Sequence, residues 1–163
     1  MKKFRALIIL LILLPTLFIV SCKPKDTGDL IIDAYSVYDK VNNIKVYKDN
    51  KYNDYESVSL YLAGFKELPS NYYNREEFAK IRDQFNKENL ITCFGGVFQN
   101  REKHLPLDDK YYECDVNYNG TSRGKTRLVY NFKYSKIYYT EDHYDSFTLM
   151  YNNYKYDGST LFI

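Results

Sequence analysis

Residues 127–135 read Arg-Leu-Val-Tyr-Asn-Phe-Lys-Tyr-Ser, with Leu128, Tyr130, Phe132 and Tyr134 on one side of an extended chain and Arg127, Asn131, Lys133 and Ser135 on the other. Successive side chains of a strand point to opposite faces, so this period of two marks a half-buried strand. The same reading extends in both directions. Upstream, Tyr112, Cys114, Val116 and Tyr118 share a face before an Asn119-Gly120 turn, and Leu90–Phe98 makes a strand bent at Gly95-Gly96. Downstream, Phe147, Leu149 and Tyr151 repeat the alternation, Tyr154 and Tyr156 extend it past an Asn152-Asn153 turn, and residues 160–163 supply a closing strand. From Leu90 onward strand formers dominate, cut by turn residues. Val58, Leu60 and Leu62 alternate with Ser57, Ser59 and Tyr61, which predicts a further strand ended by Gly64. Leu30–Tyr47 has no clean period; it leans to strands, with Asn42-Asn43 as a hairpin turn.

One helix is predicted, from about Arg75 to Glu88. Asn74 suits its N-cap, Glu76 and Glu77 its positive first turn, and Asn89 its stop. Phe78, Ile81 and Phe85 recur at three and four residues, leaving Lys80, Arg82, Asp83 and Lys87 in water. The expected fold class is therefore α+β: an antiparallel meandering sheet with one main helix packed on it, after an N-terminal signal helix.

The chain opens with the basic stub Met1-Lys2-Lys3-Phe4-Arg5 and continues with an apolar run, Ala6–Val20, broken near its end by Pro15. As a helix that run is about 22 Å long, short of the roughly 30 Å a spanning helix must cross, so it reads as a cleavable export signal. Ile19-Val20-Ser21-Cys22 resembles the lipobox of bacterial lipoproteins. The resemblance covers the first 22 residues and implies a diacylglycerol on Cys22, cleavage before it, and anchoring by two or three acyl chains. An ordinary secretory signal with a coincidental cysteine is the alternative. The resulting division is a lipoprotein signal peptide at 1–21, a lipidated tether at 22–29 and a single α+β domain at 30–163. In a Gram-negative cell, Lys23 after the cysteine resembles the pattern of proteins sent on to the outer membrane.

Removing residues 1–21 takes Lys2, Lys3 and Arg5 and no acid, leaving 20 basic against 21 acidic residues, a net charge of −1. That balance argues against a nucleic-acid partner, which calls for a basic domain. Setting Cys22 aside leaves Cys93 and Cys114 as an even pair in an exported chain, which points to a disulfide, the alternative being two buried free thiols. Neither has a second cysteine or histidine at zinc spacing.

Gly120-Thr121-Ser122-Arg123-Gly124-Lys125-Thr126 has three residues between its glycines where a P-loop needs four, and a strand follows it, so no nucleotide is expected. Glu141-Asp142-His143-Tyr144-Asp145 gathers three carboxylates around one of two histidines, which a solvated acidic turn explains as well as a metal site does. His104 sits in a polar loop before Pro106 with no nucleophile visibly arranged beside it. No catalytic, cofactor or metal residues are assigned. The 19 tyrosines, with no tryptophan, fit either a recognition face or plain sheet surface.

These features point to a membrane-anchored cell-envelope protein, more a binding module than an enzyme, with an envelope or secreted protein as partner. One version is an immunity protein against a delivered toxin. The alternatives are an anchored envelope hydrolase, which a clustering of His104 or His143 with carboxylates would favour, and a small-ligand carrier.

Overall fold

Two sheets enclose one buried helix. The computed structural model describes residues 23–162 apart from Asp108 and Tyr134, so the expected signal at 1–21, the expected lipidation site Cys22 and the end of the closing strand at Ile163 lie outside the described residues. The first sheet is a four-stranded antiparallel meander of β1 (Lys25–Asp26), β2 (Leu30–Ile32), β3 (Ser36–Asp39) and β4 (Ile44–Tyr47). It begins inside the stretch expected as a tether. The hairpin expected at Asn42-Asn43 is present, with Ser36 opposite Tyr47 and Asp39 opposite Ile44.

The second sheet holds β5 (Tyr72–Tyr73), β6 (Thr92–Phe98), β7 (Tyr111–Asp115), β8 (Arg127–Asn131), β9 (Lys136–Thr140), β10 (Ser146–Asn152) and β11 (Lys155–Phe162), each beside its neighbour in sequence. All its pairs are antiparallel except the short β5 against β6. The bend expected at Gly95-Gly96 is a bulge between Phe94 and Gly96. The α+β class and the meander from residue 90 onward are as the alternation predicts.

The strand predicted over Ser57–Leu62 is instead part of α1 (Tyr55–Phe65), capped by the Asp54 carboxylate, which accepts from the Ser57 amide at 2.7 Å. The period of two misleads because α1 has no wet face from Val58 to Ala63. It packs on β3 and β4 on one side and on β8, β9 and β10 on the other. Val58 to Ala63 are all buried, and a helix enclosed in this way loses the amphipathic stripe that would identify it. Its buried polar groups are satisfied: the Ser59 hydroxyl donates to the Tyr55 carbonyl at 2.6 Å and the Tyr61 hydroxyl to the Lys48 carbonyl at 2.7 Å. Gly64 lies within the helix, where a β-carbon would collide with Val37 on β3.

The helix predicted from 75 to 88 is shorter. α2 covers Arg75–Ile81, with a 3-10 turn at Arg82–Gln84. Asn74 caps it as expected, its side chain accepting from the Glu76 and Glu77 amides at 3.0 Å each. It stops early because Phe85 swings out, packing edge-on against Tyr118 beside Phe78 at centroid distances of 5.0 and 5.4 Å. The main helix on the sheet is thus α1.

Cys93 and Cys114 are buried free thiols rather than the expected bridge. Phe94 is the cross-strand partner of Cys114 and packs in the same cluster, whereas Cys93, its neighbour along β6, packs with Phe78 and Tyr118 on the other face. Burial raises both thiols above their ordinary range.

The two sheets are joined by a buried polar latch. The fully buried Asp39 carboxylate accepts from the Val41 and Asn42 amides at 2.8 and 3.1 Å, from the Asn42 side chain at 2.8 Å, and from the Tyr151 hydroxyl of β10 at 2.7 Å. Tyr151→Phe removes one charge-assisted bond and leaves the others in place. It is expected to cost about 1.5–3 kcal/mol, read as a lower urea midpoint with an unchanged slope.

Candidate active site

Glu113 sits in the middle of β7, opposite Val129 of β8 and Gly96 of β6. Its side chain is only 10% exposed, and a half-buried strand offers no routine place for a lone carboxylate. Space for it comes from Gly95, where a β-carbon would lie 2.6 Å from the Glu113 Cγ. Compensation comes from two groups brought in from elsewhere. Arg75, the first residue of α2, reaches across with Nη2 2.9 Å from Glu113 Oε1, while its Nε donates to the Gly95 carbonyl at 3.0 Å. On the other side, the Tyr144 hydroxyl donates to Glu113 Oε2 at 2.6 Å. Burial and this bond hold the Tyr144 phenol well above its ordinary value, with the nearby Arg127 charge working the other way.

Behind Glu113 lies a buried ion cluster. Asp115, fully buried at the end of β7, accepts from Arg123 Nε at Oδ2 and Nη2 at Oδ1, at 2.6 and 2.8 Å, and Arg127 Nε also lies 3.0 Å from Oδ1. Arg127 Nη1 reaches the carbonyls of Arg123, Gly124 and Thr126, which fixes the preceding loop. The bond to Asp115 raises the already high basicity of Arg123.

Tyr144 belongs to the β9–β10 turn, where His143 and Tyr144 have φ of 69° and 83°. Two successive non-glycine residues in the left-handed region each cost on the order of 1–3 kcal/mol unless held by their surroundings. Three bonds from other segments or from the turn itself hold them. The Tyr144 amide donates to Thr140 Oγ1 at 2.9 Å, its hydroxyl binds Glu113, and its carbonyl lies 3.1 Å from His104 Nδ1. The His143 ring is exposed, 4.7 Å from the Tyr144 ring. Asp142 anchors the turn, accepting from the Ser146 hydroxyl and amide at 2.6 and 3.0 Å and from Thr140 Oγ1 at 2.8 Å.

Glu113, Arg75 and Tyr144 open into a cleft of about 660 Å³ whose far wall is the loop after β6, including Asn100, Arg101 and Glu102. Asn100 folds that loop by bonding Leu105 through both ends of its amide, at 2.7 and 3.1 Å. A carboxylate and an exposed imidazole beside several arginines are the means for proton transfer at an anionic substrate such as a phosphodiester.

His143 and His104, both set aside on sequence grounds, therefore meet at Tyr144, and the glycine-rich 120–126 loop carries Arg123. Glu113, Arg75 and Arg127 received no role in the sequence reading. The clue for Glu113 was the Gly95-Gly96 pair, read only as a bend, although it also clears space above the neighbouring strand.

The fold and cleft define an α+β protein with a carboxylate and two arginines gathered in a cleft of its larger sheet. The profile of a family described as ribonuclease matches residues 32–151, well over half of the chain, and the protein belongs to that family. A ribonuclease of Bacillus intermedius is 36% identical over 104 residues, covering 59% of this chain and 64% of that protein. A ribonuclease of Heyndrickxia coagulans is 35% identical over 103 residues, covering 58% of this chain and 94% of that protein. The match to the Bacillus protein thus spans less than two thirds of its length.

These findings overturn the reading of a domain without a recognisable family, of a non-catalytic binding or immunity module, and of a chain with no nucleic-acid partner. They lend nothing to a description of the domain as an envelope lipoprotein bearing palmitate. The error on nucleic acid was one of scale: a net charge of −1 describes the whole mature chain and says nothing of how charges are arranged within one cleft. A location outside the cytoplasm accords with the family.

The turn that carries His143 should be acid-sensitive. Burial works to raise the Asp142 carboxyl, yet the bonds from Ser146 and Thr140 outweigh it and hold the group at about 2, below its ordinary 3.8. The depressed value means that this contribution to stability is complete above pH 3.8 and is lost as pH falls through about 2. Amide-exchange protection at Tyr144 and Ser146 should fall over that interval. In Asp142→Asn it should be weak already at neutral pH.

Proposed function

We propose that the protein cleaves RNA by transesterification, with Glu113 as general base and His143 as general acid. The observation that carries this reading is the Glu113 carboxylate, nearly buried and held at 2.9 Å by Arg75 and at 2.6 Å by Tyr144 in a cleft that also presents Arg101 and Glu102. Glu113 takes the proton of a ribose 2′-hydroxyl, whose oxygen then forms a bond to phosphorus. The bond from phosphorus to the 5′-oxygen breaks, and that oxygen receives the His143 proton. The products are a 2′,3′-cyclic phosphate and a free 5′-hydroxyl. Arg75 and Arg101 meet the phosphate oxygens as charge accumulates on them, with Arg127 adding positive field from behind. Membership of the ribonuclease family and relatives bearing that name support the assignment.

The reading requires the 2′-hydroxyl, so DNA of the same sequence should remain intact while RNA is cut. Glu113→Gln and His143→Gln should each lower kcat/KM by about 10²- to 10⁴-fold with the fold retained by circular dichroism. Full activity in either variant, or equal cutting of DNA, would overturn the mechanism.

Residues 1–21 act in this reading as an export signal and Cys22 as the attachment point for lipid, on the support of the Ile19–Cys22 motif alone. Cys22→Ser should then move the enzyme from the membrane fraction to the soluble one, and an unchanged distribution with unchanged mass would remove the anchor from the account.

A further inference from the structure

Tyr138 and Tyr139 are neighbours on β9 and point to opposite faces of the seven-stranded sheet. Tyr138 packs on the Glu113 side with Val129 and Phe147, whereas Tyr139 faces α1 and the four-stranded sheet. On that second face lies a cavity of about 320 Å³, closed by the first turn of α1, the β3–β4 hairpin, β9, β10 and β11. This is the size of a small-molecule site, and no part of the proposed RNA chemistry uses it.

Its walls have one consistent chemistry. Tyr55 and Tyr139 stack at 4.2 Å, and Tyr151 and Tyr156 meet edge-on at 5.8 Å. Two exposed carboxylates, Glu56 and Glu141, stand among these rings. Neither makes an ion pair among the described residues; Glu56 accepts only the Tyr55 hydroxyl, at 3.3 Å. No lysine or arginine lines the cavity. The local field is accordingly negative, and the Tyr55 phenol responds to it: burial first, then Glu56 and Glu141, push it above its ordinary value.

Phosphate and nucleic acid are repelled from such a place. Aromatic faces and carboxylates attract instead an organic cation, the rings through their quadrupoles and the carboxylates through charge, while the Thr148 and Thr160 hydroxyls offer acceptors for its N–H groups. We propose that this cavity is a second ligand site, for an alkylammonium cation of the polyamine type. The protein then carries an anion-binding cleft on one face of the sheet and a cation site on the other.

The test is calorimetric titration of the purified protein with spermidine at low salt and without RNA. One saturable site is expected, weakened at least tenfold in the double variant Glu56→Gln, Glu141→Gln and in Tyr139→Leu, and unchanged in Glu113→Gln. The two glutamates are exposed, so the double variant keeps its fold even if the tyrosine variant does not. Absence of binding would overturn the proposal. So would binding that survives loss of both carboxylates, or binding that falls in Glu113→Gln, which would place the cation in the cleft.

Discussion

The Asp115 carboxylate is the point on which the rest of the site depends. It has no access to water and is held by Arg123 at 2.6 and 2.8 Å and by Arg127 at 3.0 Å. Taking such charges out of water is expensive, and breaking a buried pair by removing one partner costs roughly 3–5 kcal/mol, because the survivor stays buried and uncompensated. The cluster therefore does more to specify one arrangement than to add stability. It wraps the 116–126 connection tightly around the end of β7 and fixes β7 against β8. Two arginines against one carboxylate leave a surplus of positive charge two residues from Glu113.

The second organising constraint is α1, whose residues from Val58 to Ala63 are all core. Sheets on both flanks remove it from water, so the four-stranded sheet is part of the same hydrophobic cluster as β8 and β10 rather than an appendage. The Asp39–Tyr151 bond sets the relative position of the layers, because a buried charge tolerates few alternatives. This arrangement separates the two faces of the large sheet. One face is covered by the helix and the small sheet; the other is left open for the cleft.

Much of the β structure was legible because apolar and polar residues alternate along it, as Leu128 and Tyr130 do with Arg127 and Asn131. All five residues of β8 are nonetheless buried, so the alternation there separates two packed faces rather than a wet one from a dry one, and in β10 a bulge between Leu149 and Tyr151 moves Tyr151 to the opposite face from Phe147. α1 was illegible because Val58, Ser59, Leu60, Tyr61 and Leu62 are all buried and their chance alternation of polar and apolar types mimics a strand. The site was harder still. Arg75, Glu113 and Tyr144 lie far apart in the chain, and nothing local distinguishes Glu113 from a surface glutamate on an edge of alternation. The acidic run around His143 looked like a solvated turn, and part of it is. What the sequence conceals is that Asp142 ties Thr140 to Ser146, that Thr140 in turn holds the Tyr144 amide, and that the backbone there is left-handed at two successive residues.

The order in which the site's residues occur along the chain has a consequence for the cell that makes it. Arg75 comes from α2 and Glu113 from β7, but His143 and Tyr144 belong to the turn after β9, late in the meander. Synthesis proceeds from the N-terminus at about 5–20 residues per second, and most of the sheet exists before that turn does. A nascent chain therefore holds Arg75 and Glu113 before it holds the tyrosine that clasps the carboxylate, 31 positions later, so the arrangement around Glu113 closes only once the turn after β9 has been made.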